Sequence, residues 1–128
     1  MSEIFKKIYY KRRQIVKDAV EKTIAEFSHK NPQIYRNNYY GSYDYSPHSM
    51  VIWYIFKTDK DLAIAKESGM CNEIIKATIS NLISLGYPKR ALPSLSGRKT
   101  TLPKASIEFT THEDIERETG GDYWCYFK

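Results

Sequence analysis

Apolar positions recur at helical spacing from about residue 3 to residue 28. Phe5, Ile8, Tyr9, Ile15, Val16, Ala19, Val20, Ile24 and Phe27 are separated there by lysines, arginines and glutamates. The spacing predicts one long amphipathic helix, which Asn31-Pro32 stops because proline lacks the next helical donor and pushes its predecessor out of the α region. The pattern then shortens and fills with tyrosine, broken at Asn37-Asn38, Gly41-Ser42 and Ser46-Pro47. One or two extended segments joined by tight turns are expected there. The run Met50-Val-Ile-Trp-Tyr-Ile-Phe-Lys57 is apolar at both alternating sets of positions and rich in β-formers, the pattern of a central strand.

Thr58-Asp-Lys-Asp61 places a hydroxyl three residues before a backbone N–H and puts acids in a first turn, so it predicts a helix start. That helix carries Leu62, Ala63 and Ala65 and stops at Ser68-Gly69. A second helix runs from about Cys71 to Leu85 and presents Cys71, Ile74, Ile75, Ile79, Leu82 and Leu85 on one face before Gly86-Tyr87-Pro88. Residues 87–103 are proline-, serine- and base-rich, a long loop of the kind that carries function or moves. Ala105, Ile107 and Phe109 then alternate with Ser106, Glu108 and Thr110, as in a half-buried strand. Thr111-His-Glu-Asp114 repeats the helix-start pattern, Gly120-Gly121 ends that helix, and the aromatic tail after Asp122 reads as a last strand. The expected fold is an α+β domain: a mostly antiparallel sheet of about four strands, packed by the long N-terminal helix and a central helix pair. All 128 residues form one domain on this reading, with no internal repeat and no linker.

Charge sharpens the picture. The formal net charge is +5, and it is segregated. Residues 6–17 hold six basic side chains and no acid, and residues 87–104 hold Lys89, Arg90, Arg98, Lys99 and Lys104 with none. Such clustering makes a face for phosphate or an acidic protein, or else pairs internally with the acids gathered elsewhere. No apolar run reaches the roughly 20 residues that span a bilayer. Lysines and arginines break the N-terminus where a secretory signal needs an apolar stretch. A cytoplasmic protein with reduced Cys71 and Cys125 is expected.

Candidate chemistry is sparse. Gly97-Arg-Lys-Thr100 lacks the adjacent glycine-lysine pair and the strand-loop-helix setting of a phosphate loop, which leaves Arg98 and Lys99 as a looser anion contact or as solvated loop residues. His29, His48 and His112 lack metal-ligand spacing, and no nucleophile elbow is present, so neither a metal, a cofactor nor an enzyme is expected. Six of the eleven tyrosines fall between residues 35 and 54. Tyrosine supplies stiff, half-apolar contact area, which suits binding. The expected contact surface combines Tyr39, Tyr40, Tyr43 and Tyr45 with Lys89, Arg90, Arg98 and Lys99. The alternative is a nucleic-acid-binding protein, with bases stacking on tyrosines and phosphates meeting the basic helix face and loop, and affinity falling steeply with salt.

Trp53-Tyr-Ile-Phe-Lys-Thr-Asp-Lys-Asp-Leu62, a helix ending in Leu85-Gly-Tyr-Pro88, Ile107-Glu-Phe-Thr-Thr-His-Glu-Asp-Ile115 and the closing Gly120-Gly-Asp-Tyr-Trp-Cys-Tyr-Phe127 follow one another in that order. This layout, over residues 50–128, resembles small bacterial immunity proteins of toxin–immunity systems, including contact-dependent growth inhibition. The resemblance implies a cytosolic, non-enzymatic protein that binds a cognate toxin domain and blocks its active site or its access to a target. It carries no functional residue over by position. Immunity proteins that cover nuclease toxins are often acidic and this chain is basic, so its partner has to present acid or be held through tyrosine and apolar contacts.

Overall fold

Ser2 accepts the Phe5 amide and opens α1, Glu3–Glu26, whose Ile15, Val16, Ala19 and Val20 form a buried stripe. The computed structural model describes residues 2–94 and 103–128. After α1 come β1 (Ile34–Ser42), β2 (Ser46–Phe56), α2 (Asp59–Glu67), α3 (Met70–Leu85), a short 3-10 turn at Lys89–Ala91, β3 (Ser106–Thr111), α4 (His112–Thr119) and α5 (Tyr123–Tyr126). Both threonine signals act as read from the sequence. Thr58 Oγ1 accepts the Asp61 amide at 3.0 Å, and Thr111 Oγ1 accepts that of Asp114 at 2.9 Å.

The α+β class holds, but the sheet differs from the expectation. Among the described residues three strands are ordered β1-β2-β3, with β1 antiparallel to β2 and β3 parallel to it. The chain leaves β2 through the α2–α3 pair before returning as β3, and such a crossover lets a strand come back in the same direction, where a tight turn could not. The tail is α5 rather than a fourth strand. Asp122 caps it by accepting the Cys125 amide at 3.1 Å. Tyr123, Tyr126 and Phe127 share the i, i+3, i+4 spacing of one helix face.

Alternation along the strands separates two faces. Paired positions Tyr39–Ile52–Ile107 and Asn37–Tyr54–Phe109 lie on one, with Ile34, Phe56 and Thr111 at its end. This inner face packs on α1 and α3 around Val16, Val20, Ile74 and Leu82. At its centre the buried Tyr54 hydroxyl meets Thr78 Oγ1 at 2.8 Å. The outer face carries Arg36, Asn38 and Tyr40 of β1, Val51, Trp53 and Ile55 of β2, and Ser106, Glu108 and Thr110 of β3.

Candidate binding surfaces

Helices α4 and α5 lie across the outer face. Their position is fixed by a reciprocal cap between the starts of α2 and α4: the Asp59 amide donates to Glu113 Oε1 at 2.7 Å, and Thr111 Oγ1 donates to Asp59 Oδ1 at 2.6 Å. Arg117 closes the junction by donating to Asp59 Oδ2 at 3.0 Å and Asp114 Oδ1 at 2.7 Å. The Thr111 hydroxyl and then Arg117 hold the Asp59 carboxyl below the usual range. The Tyr126 hydroxyl and then Arg117 do the same for Asp114.

The apolar side of α5 then reaches the sheet. Phe127 packs on Trp53 with ring centroids 5.3 Å apart, and the Tyr126 hydroxyl contacts Thr110 Oγ1 at 2.6 Å and donates to Asp114. The Arg36 guanidinium lies between the rings of Tyr35 and Tyr123, 5.1 and 5.2 Å from their centres, a doubled cation–π contact. Trp53 Nε1 donates to the Tyr40 hydroxyl at 3.2 Å. Burial raises the Tyr123 phenol pKa, and Arg36 opposes that shift.

Between β1 and α5 a groove of about 500 Å³ remains, lined by Asn37, Asn38, Tyr39 and Tyr40 on one side and Tyr123, Trp124, Phe127 and Lys128 on the other. No acidic residue lines it. Trp124 points away from the sheet-facing side of α5 and is 76% exposed. Sequence reading missed Arg36, Trp53, Tyr123, Trp124 and Phe127 as surface-forming residues. The available signal was helical spacing in the tail, with Asp122 placed as its cap.

The four tyrosines expected to act together divide between two grooves and the core. Tyr43 is 2% exposed and packs edge-on against Tyr9, so it is a core residue, with burial pushing its phenol up to about 12. Tyr39 packs half-buried against the core and also lines the outer groove together with Tyr40. Tyr45, 64% exposed, stacks on Phe5 at 4.8 Å. Tyr45 does meet part of the basic segment: a second groove of about 370 Å³ brings it together with Pro47, His48, Arg90 and Lys104. Lys89 is exposed beside Arg90 in the 3-10 turn. Arg98 and Lys99 lie outside the described residues.

His112 Nδ1 contacts the Tyr123 hydroxyl at 2.7 Å and Nε2 lies 3.3 Å from Glu116, so both ring nitrogens are engaged. Cys71 is buried and Cys125 exposed, both free thiols. The bond to Asp122 raises the Cys125 pKa, which disfavours its thiolate. Among the described residues no group of three His, Cys, Asp or Glu is placed to hold a metal ion, and no helix is long and apolar enough to cross a membrane.

The chain matches no protein-family model, no curated protein and no solved structure.

Proposed function

We propose that the chain is a non-catalytic protein-binding module, an immunity protein that neutralises a cognate bacterial toxin domain by seating it on the outer sheet face. The observation that carries this reading is Trp124, held 76% exposed at the edge of an acid-free aromatic groove. An exposed tryptophan beside a concave aromatic surface is the composition of an interface hot spot. The groove takes an apolar or aromatic side chain projecting from the partner. Lys128 in its lining and Arg36 against the Tyr123 ring favour carboxylates around that anchor, which supports a toxin partner that presents acid.

The test is to sequence the neighbouring reading frames and, where one encodes a large protein with a variable C-terminal toxin region, to coexpress that region with this chain. Protection of growth and a 1:1 complex on gel filtration are expected, with Trp124→Ala losing both while remaining folded. A toxin neutralised equally well by Trp124→Ala and Tyr40→Ala overturns the assignment of this surface. Absence of any complex overturns the immunity reading itself.

A further inference from the structure

The hairpin end of the molecule gathers arginine and lysine side chains from three separate segments. Arg12 of α1 donates to the carbonyls of Tyr43 and Asp44 at 2.8 and 3.2 Å, and Arg13 follows it close to Tyr43. His48 from the start of β2 lines the groove with the remaining two cations, Arg90 from the 3-10 turn and Lys104 from the approach to β3. Lys104 Nζ donates to the Arg90 carbonyl, which ties the last two segments together. Arg90 itself is exposed and has no acidic partner among the described residues. No acid lines the groove these residues form. Asp44 keeps its Oδ2 buried, and Glu3 lines a separate cleft with Lys6, Tyr9 and Tyr10.

An aromatic surface stands at the mouth of this groove. Tyr45 is 64% exposed and already stacked on Phe5, so a further flat ring can extend an existing stack. Cations that track a phosphate chain, next to an exposed aromatic, are the two parts of a single-strand binding surface. We propose that the hairpin end is a second binding site, for single-stranded nucleic acid, with Tyr45 stacking on a base and Arg90 and Lys104 meeting the phosphates. One stacking ring beside two cations matches the base and phosphates of a single strand, whereas a rigid duplex keeps its bases inside. The site shares no residue with the groove around Trp124 and does not rest on the immunity reading.

Fluorescence anisotropy with a labelled oligothymidylate of about a dozen nucleotides tests the proposal. Binding at low salt is expected, falling steeply between about 50 and about 200 mM salt. Tyr45→Ala weakens binding by about fivefold or more. Arg90→Ser flattens the dependence of log affinity on log salt by about 0.7 for the lost phosphate contact. Trp124→Ala leaves both quantities unchanged. Both altered residues at the hairpin end are exposed, and circular dichroism confirms that each variant is folded. No binding at low salt, or binding that survives Tyr45→Ala and Arg90→Ser intact, overturns the proposal. Equal affinity for a duplex of the same length also overturns it. So does equal competition by poly-glutamate, which makes the hairpin end a dock for an acidic protein instead.

Discussion

Tyr54 shows how much a single side chain can fix. Thr78 Oγ1 donates to the Ile74 carbonyl at 2.7 Å, which commits its proton, so the Tyr54 hydroxyl is the donor in their shared bond at 2.8 Å. This buried bond joins the central strand to α3. A second polar link, Asn81 Nδ2 to Thr23 Oγ1 at 3.0 Å, joins α3 to α1. Tyr54→Phe is expected to lower unfolding free energy by about 1 kcal/mol in urea titrations, since Thr78 keeps its own bond to Ile74. Burial pushes the Tyr54 phenol from its ordinary 10 up to about 12. A raised folded value means that the neutral form is favoured in the native state. Its contribution is therefore complete below pH 10 and is lost as pH rises through about 12. Alkaline unfolding followed by tyrosinate absorbance checks this, with Tyr54→Phe losing that component.

At the scale of elements, the α2–α4 junction decides where the candidate surface lies, because α5 follows α4 onto the sheet. Thr111 is 1% exposed; its hydroxyl accepts the Asp114 amide and donates to Asp59. Thr111→Val keeps the side chain's shape and removes both bonds. A loss of about 1 kcal/mol or more is expected in chemical denaturation, the usual cost of a lost N-cap. The folded-state values of Asp59 and Asp114 are depressed, so their contribution is present above the ordinary carboxylate value of 3.8 and is lost as pH falls below it. Arg117→Met narrows the depression of both carboxyls, and acid unfolding monitored by ellipticity should then begin at higher pH. A midpoint unchanged from wild type means that the pairs give no net support, as many exposed ion pairs do.

Across the whole molecule, the two tryptophans report on separate environments. Trp53 is half-buried under Phe127 and bonded to Tyr40, whereas Trp124 is 76% exposed. Acrylamide should quench two populations of fluorescence, and Trp124→Phe should remove the accessible one. The stability of Trp124→Ala should stay within about 0.5 kcal/mol of wild type, as for a surface residue with few contacts. A large loss there implies that Trp124 supports the fold, which removes the reason for reading its exposure as a docking feature.

The helices were legible in the sequence because their signals are local. Thr58 and Thr111 lie three residues from the amides they cap, Gly69 and Gly120 take the left-handed conformation at helix ends, and the period of α1 follows from its own residues. The tail was misread because a short aromatic run satisfies strand composition as well as helix spacing, and only docking onto Trp53 and Thr110 selects the helix. Strand direction was equally hidden. The sequence shows that β3 alternates, while its parallel partner is set by the path of α2 and α3 over the sheet. Local chemistry by itself determined the helix starts, the central strand and the basic segments. The tertiary structure alone decided which tyrosines are core and which are surface, and which cations share a groove. Both are properties of distances between segments far apart in the chain, and no local pattern encodes those distances.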